Sequence, residues 1–436
     1  MFTIAGKYTT ATVYADTVEP VCVAQIQQMV SSPSFTGPVA IMPDTHAGKG
    51  SVIGFTMPLG AALPPAVVGV DIGCGVLAAP VPWPAGADLA QLDRAIRARV
   101  PMGQHVHERA QRLTDAFDVF FPTAQRRLLE LRGAIRDRAQ LPDVGPGPVI
   151  SYDWFVETCR RVGMDLRRAQ ASVGTLGGGN HFIEIGRGVL ADQAWVLVHS
   201  GSRQLGERIC KYHQGVAEAR LREFRAGEYQ GEIERLREAL PATTIGPAIQ
   251  AYKEEQAARV RAAAGQAPLH GADLVAYLHD MVVAQAYAAL NRSAILAAVC
   301  EVLGAPPLEA PLDTVHNYID PEDLIVRKGA VRARAGERLI IPFNMRDGSW
   351  LCAGRGNPAW NESAPHGAGR VMSRSQAKRE LDPAAARAAM AGIYTSVLPL
   401  DEAPEAYKDA AEIRRLIAPT VEVIEEIRPV LNLKAE

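Results

Sequence analysis

Two textures alternate along the chain. Short apolar runs bounded by glycine and proline give way to long stretches where Leu, Ile, Val and Ala recur at three- and four-residue spacing. Pro38-Val-Ala-Ile-Met-Pro-Asp44 and Ala66-Val-Val-Gly-Val-Asp71 read as short buried strands, each ending in an aspartate. Helical spacing runs from Asp88 to about Leu141 and again from Trp154 to Gln170. A strand-rich block covers Ser172 to Ser200. From Glu207 to about Leu303 the pattern is helical, broken near Pro241 and Gly246. Strands return from Thr314 to about Cys352, and Gly-rich loops with a final helical stretch complete the chain. The pattern predicts an α+β fold: a mixed β-sheet core surrounded by helices, with a largely helical excursion at about 205–300. Neither an internal repeat nor a low-complexity linker interrupts the sequence, so residues 1–436 read as a single domain bearing that excursion.

Composition narrows the class. The 436 residues are 48% hydrophobic and 22% charged, which is ordinary globular usage and excludes a disordered, collagen-like or coiled-coil chain. Lys and Arg number 46 against 48 Asp and Glu, a net charge of -2. That balance excludes a strongly basic nucleic-acid coat protein but leaves room for a local basic groove. We count no run approaching eighteen apolar residues, and the start, MFTIAGKYTTATVYAD, lacks the order of a secretion signal. The expectation is a cytoplasmic protein with no membrane segment. Six cysteines are scattered without a CxxC. Cys22, Cys159, Cys210, Cys300 and Cys352 read as buried or idle thiols.

Cys74 stands apart. AVVGVDIGCGV places Asp71 and Cys74 just after an apolar run, with glycine on both sides of the thiol. His181 opens a strand in LGGGNHFIEI, and His199 ends one in AWVLVHSGSR. His316 sits in DTVHNYI and His366 in the tight loop APHGAGR. A lone histidine at a strand end is more often a hydrogen-bonded core residue. Together with a carboxylate and a thiol, most of them beside glycine, these histidines point to metal ligation. Thiolate and imidazole suit zinc, iron, copper or nickel, and the carboxylate extends the range to manganese. A cysteine shared between two ions would suit phosphoryl chemistry.

Four loops have the composition of anion nests: 44–54, 174–180, 199–207 and His366–Arg370. In the last, Gly367, Ala368 and Gly369 expose backbone N–H groups beside Arg370, which with Arg203 is a candidate phosphate clamp. The run 327–338 carries five positive charges against one negative. It reads equally as a nucleic-acid track or as a hairpin with a solvated face. Arg370, Arg374, Lys378 and Arg379 form a second basic group.

PDTHAGKGSVIG, VVGVDIGCG, GTLGGGNHFIEI, VLVHSGSR, DTVHNYI and HGAGRVMSR, in this order, resemble the signature blocks of the RtcB-type RNA ligases, from about residue 40 to the C-terminus. The resemblance implies GTP-dependent, manganese-dependent joining of an RNA 2′,3′-cyclic phosphate or 3′-phosphate end to a 5′-hydroxyl end, as in tRNA splicing and RNA repair. It implies two Mn²⁺ ions, with Zn²⁺ an alternative occupant in purified samples. Asp71, Cys74 and His181 would hold one, and Cys74, His199 and His316 the other. His366 would be the nucleophile that carries GMP, with Asp44 and Arg370 matching further catalytic positions. Asn180 and Asn317 would contact phosphates, Glu184 would face the guanine, and Tyr407 and Lys434 would complete the guanosine pocket. An archease-like activator serves some relatives.

One segment departs from the family. Asn344, Arg346 and Asp347 replace small residues in IPFNMRDGSW, which marks a divergent branch. Ser349 and Ser363 are expected to supply the lost hydroxyl contacts. Two other readings compete: a metal-dependent phosphodiesterase or phosphatase without nucleotidyl transfer, and an RNA-end-binding factor without turnover. His105 and His107 read as loop or surface residues, and His213, His270 and His279 as helix residues without a ligand role.

Overall fold

The computed structural model describes residues 1–83, 86–108, 114–138, 141–142, 145, 147–190, 193–262 and 266–436. Parts of the expected 88–141 helical stretch, at 109–113 and 139–140, lie outside the described residues. Two sheets carry the site. The larger is wholly antiparallel, in the order Leu312–Val315, Gly75–Val81, Ala194–Ser200, Phe182–Gly188, Val421–Leu433, Gly348–Gly354 and Arg338–Asn344. The smaller runs Phe2–Ala5, Thr10–Val13, Val39–His46, Ile53–Pro58, Ile325–Lys328 and Asn317–Ile319. Its Thr10–Val13 and Val39–His46 strands are parallel, so the core is mixed as expected.

Several sequence expectations change. The stretch 88–141 holds two helices, Leu89–Arg99 and Thr114–Arg138, and the described residues 100–108 between them are not helical. Ala66–Asp71 is not a strand: Pro64 and Pro65 fix φ and lead into a 3-10 turn at Pro65–Val67, and Gly69 bends the backbone at φ +95. The stretch from Trp154 to Gln170 is two helices, Tyr152–Arg161 and Leu166–Ala171, parted at Gly163. The chain does not end in a helix. After Ala410–Ile417 it enters the thirteen-residue strand Val421–Leu433, inserted in the middle of the larger sheet. Pro429 sits at a register shift of that strand, where a missing N–H is tolerated, and its presence hides the strand in the sequence.

A further change concerns the helical excursion. It comprises Arg203–Ala239, Ala242–Ala262 and Gly271–Leu303. The third of these is no excursion. Its residues from Leu274 to Ala288 are nearly all buried, as expected of a helix that is apolar on every side. By length and composition it is also apolar enough to cross a membrane, which counting unbroken apolar runs did not register. Here it packs against the Ala194–Ser200 and Gly75–Val81 strands and three helices.

Of the polar residues buried in this helix, Asn291 and Arg292 have no exposed surface. Asn291 accepts from the Gly174 and Thr175 N–H groups (2.8 and 3.1 Å) and donates to Ser200 Oγ (2.9 Å) and the Gly201 carbonyl (3.2 Å). Arg292 donates to the Gly73 carbonyl (2.7 Å) and the Ser200 carbonyl (2.9 Å), and forms a two-pronged pair with Asp313 (2.7 Å each). One helical turn thus fixes three loops of the larger sheet.

The basic run 327–338 is largely neutralised within the protein, with Arg338 left on the surface. Arg327 is fully buried, donating to Ser363 Oγ (2.9 Å) and Asp323 (3.1 Å). Arg332 pairs with Asp320 (3.0 Å) and Glu337 (2.7 Å), and Arg334 with Glu322 (2.6 Å) and Asp323 (3.2 Å). These arginines meet their counter-charges within the protein.

Removing Arg292 strands a carboxylate and two carbonyls. Arg292→Met is expected to destabilise the fold by about 3 to 5 kcal/mol, the usual cost of breaking a buried pair from one side. Chemical denaturation measures this, and an unchanged midpoint contradicts it.

Candidate metal and nucleotide site

Strand ends of both sheets meet at one point. Asp71 and Cys74 lie in the turn before Gly75–Val81, and His181 immediately precedes Phe182–Gly188. His199 is in Ala194–Ser200, and His316 joins Leu312–Val315 to Asn317–Ile319. The tight turns demand glycine at one position in particular. A Cβ on Gly201 would lie 2.2 Å from Asp71 Oδ1, so the chain after His199 can pass the carboxylate only without a side chain.

Backbone carbonyls aim the imidazoles. His181 Nδ1 donates to the Leu176 carbonyl (2.8 Å) and His199 Nδ1 to the Asn180 carbonyl (3.1 Å). With Nδ1 committed to a carbonyl, each ring turns Nε2 inward. His181 Nε2 lies 3.5 Å from Cys74 Sγ and 3.0 Å from Asp71 Oδ2. His199 Nε2 lies 3.3 Å from the same sulfur and 3.4 Å from His316 Nε2. The Ser202 N–H donates to the other oxygen of Asp71 (3.1 Å).

The electrostatics match. Burial, reinforced by the positive fields of neighbouring imidazoles, holds His199 and His316 well below the usual histidine range. Burial and the adjacent Asp71 push the Cys74 thiol well above its usual value. Burial works to raise Asp71 too, but hydrogen bonding and charge from His181 hold it low. Cys74, His181 and His199 bring their ligand atoms within 4.8 Å of one another, and this set fits a borderline or soft divalent cation.

His366 follows the Ser363–Pro365 strand and stands beside this cluster, its ring 4.8 Å from that of His316. Its Nδ1 donates to Asp44 Oδ2 at 2.7 Å. Asp44 is fully buried in the Val39–His46 strand. Gly369, at φ +75, lets the histidine loop lie on that strand, because a Cβ there would sit 2.1 Å from the Asp44 carbonyl. Lys408 donates to the carbonyls on either side of Asp44, those of Pro43 (2.8 Å) and Thr45 (2.9 Å).

A cavity of about 660 Å³ opens over His199, His316 and His366. It is the right size for a small-molecule site. Asn180, Glu184, Ser349, Gly367, Ala368, Gly369, Arg370, Tyr407 and Lys434, all singled out from sequence, line it. Burial pushes Glu184 up to about 8, against the opposing pull of Asn432 and Lys434. The Asn180 carbonyl accepts from both His199 Nδ1 and Lys434 Nζ (3.4 Å).

Other expectations shift. Asn317 is not on the cavity wall, and its Oδ1 accepts from the Gly329 N–H (3.0 Å). Ser363 does not replace a nucleotide contact: its hydroxyl binds the Asn361 carbonyl (2.7 Å) and Arg327. Arg370 is engaged by protein, donating to the Asp401 carbonyl (2.7 Å) and lying over the Tyr407 ring. Arg203 donates to Thr175 Oγ1 (3.1 Å) and the Gly103 carbonyl (3.1 Å), and lines a smaller cavity on the other side of Asp71. In the divergent segment, Asn344 Oδ1 accepts from the Arg346 and Asp347 N–H groups, closing a hairpin turn.

Sequence reasoning passed over Glu402. It is buried, and it accepts from Tyr407 Oη (2.7 Å) while pairing with Lys434 (3.0 Å) and Arg374 (2.6 Å). Its signal was the acidic pair Asp401-Glu402, shortly before Tyr407. His46 and Asn432 were also missed, though both line the cavity.

Comparison with known proteins agrees with this geometry. The family model described as tRNA-splicing ligase RtcB matches residues 25–435. The RNA-splicing ligase RtcB of Escherichia coli K12 is 31% identical over 419 residues, covering 91% of this chain and 90% of that protein. The RNA-splicing ligase RtcB of Mycobacterium tuberculosis is 29% identical, covering 89% of this chain and 94% of that protein. The tRNA-splicing ligase RtcB of Aeropyrum pernix is 26% identical, covering 86% and 83%.

Metal analysis after dialysis against a divalent salt tests the cluster. Cys74→Ala is expected to lower metal affinity at least about tenfold, whereas His46→Ala, outside the donor set, leaves it unchanged. Equal metal content in the wild type and Cys74→Ala would contradict the assignment.

Proposed function

The chain belongs to the RtcB family of tRNA-splicing ligases, and from that premise we propose that it is a GTP-dependent RNA ligase working through His366. It joins a 2′,3′-cyclic phosphate or 3′-phosphate end to a 5′-hydroxyl end. The observation that carries the reading is the Asp44–His366 pair at the floor of a nucleotide-sized cavity, beside the Cys74 cluster.

Asp44 takes the Nδ1 proton of His366 in a hydrogen bond, so Nε2 keeps its lone pair for attack. That nitrogen attacks the α-phosphorus of GTP, the bond to the β-phosphate oxygen breaks, and pyrophosphate leaves. A 3′-phosphate oxygen of the RNA then displaces the imidazole, giving an RNA(3′)pp(5′)G end. The 5′-hydroxyl attacks the 3′-phosphorus and GMP departs. A cyclic phosphate is opened by water before the transfer.

Asp71, Cys74 and His181 would hold one ion, and Cys74, His199 and His316 a second. Bound there, Mn²⁺ would neutralise phosphate charge and favour the leaving groups. Manganese is proposed from the resemblance, since thiolate and imidazole would take Zn²⁺ as readily. Glu184 accepts from the guanine edge, and Tyr407 and Lys434 hold the guanosine. Ser349, whose buried hydroxyl has no partner among the described residues, supplies a further contact. Gly367, Ala368 and Gly369 bring backbone amides to the phosphates.

The test is a joining assay with GTP, Mn²⁺ and two labelled RNA strands, one ending in a 2′,3′-cyclic phosphate and the other beginning with a 5′-hydroxyl. Joined product is expected from the wild type. Asp44→Asn, which disturbs the His366 tautomer, is expected to slow it by about 100-fold or more. Loss of the terminal phosphate without joining would instead identify a hydrolase.

A further inference from the structure

The strand Val421–Leu433 pairs with Phe182–Gly188 so that Asn432 lies directly opposite Glu184. The two side chains share a face of the sheet and meet: Asn432 Nδ2 donates to Glu184 Oε2 at 2.9 Å. That bond fixes the amide, since its NH₂ must face the carboxylate and its oxygen must point elsewhere. Both residues line the large cavity, and both are almost wholly buried. Each keeps one oxygen, Glu184 Oε1 and Asn432 Oδ1, with no hydrogen-bond partner among the described residues. Two residues on, Lys434 lies over the Phe182 ring at 5.6 Å, so the same face continues into the rest of the proposed guanosine pocket.

Unpaired buried acceptors are costly, and a pair of them beside a cavity asks for a ligand with two donors. The geometry points to Asn432 as a second base-reading residue, its Oδ1 accepting from the exocyclic 2-amino group of guanine while Glu184 accepts from the ring N–H. This assignment rests on the reading of the cavity as a guanosine site. It makes nucleotide choice depend on the 2-amino group, which inosine lacks. Asn432 also keeps Glu184 oriented for its share of the edge.

Adduct formation with GTP and with inosine triphosphate, compared as kcat/KM on the full-length protein, tests the assignment. The wild type is expected to favour GTP by about tenfold or more, because a site built around a donor rejects the analogue that lacks it. In Asn432→Val the ratio is expected to fall to near one. In Asn432→Asp, where two carboxyls share a proton and one oxygen can still accept, the preference is expected to persist. A wild-type ratio near one overturns the assignment even if neither variant folds. A ratio that Asn432→Val leaves unchanged also overturns it, because a purely structural asparagine would slow both nucleotides alike. Absence of any adduct with either nucleotide in the wild type overturns the guanosine reading itself, an outcome distinct from an unchanged ratio.

Discussion

Arg292, fully buried in an alanine-rich helix, binds the carbonyls of Gly73 and Ser200 and the carboxylate of Asp313. Gly73 precedes Cys74 and Ser200 follows His199, so one guanidinium sets the spacing of two donors. Asn291, one residue earlier, ties in the Gly174–Thr175 turn from which the Leu176 carbonyl aims His181. The donors of the cluster come from four separate stretches of sequence. They converge because a single helical turn satisfies backbone groups from three of their loops. An inward-facing set of lone pairs is unfavourable without a cation, and this clamp prevents the loops from relaxing apart.

Around that centre the charges are graded. In the cluster, His181 and His199 commit Nδ1 to backbone carbonyls. His366 stands one ring away, its Nδ1 hydrogen-bonded to Asp44. Farther out, Glu402 gathers Tyr407, Lys434 and Arg374, so the basic side chains of the cavity do not repel one another. The polypeptide Tyr407-Lys408 links these zones. Its tyrosine meets Glu402 in the large cavity, while its lysine grips the carbonyls flanking Asp44. His366, the Cys74 cluster and the cavity wall bearing Tyr407 and Lys434 are thereby parts of one framework.

The donor positions were legible because ligand chemistry leaves local traces: Cys74 between glycines, His181 and His199 at the ends of apolar runs. The supporting residues leave no such trace. Asn291 and Arg292 resemble chance polar breaks in a helix, and their backbone partners lie 90 or more residues away in sequence. Asn432 acquires its meaning only from the register that sets it against Glu184. The terminal strand was hidden by Pro429 and by glutamates on its exposed face. The run at 327–338 looked basic because its counter-charges, Asp320 and Asp323, precede it, and Glu322 with them. The central helix was mistaken for part of an excursion because all-round burial removes the periodicity that would place it.

The central claim is that His366 forms a covalent bond to the nucleotide. Incubating the purified protein with Mn²⁺ and GTP labelled at the α-phosphate tests it most directly. The account predicts acid-labile label on the wild type and none on His366→Ala. Label that persists in His366→Ala, or a wild type left unlabelled with every divalent metal tried, would contradict it.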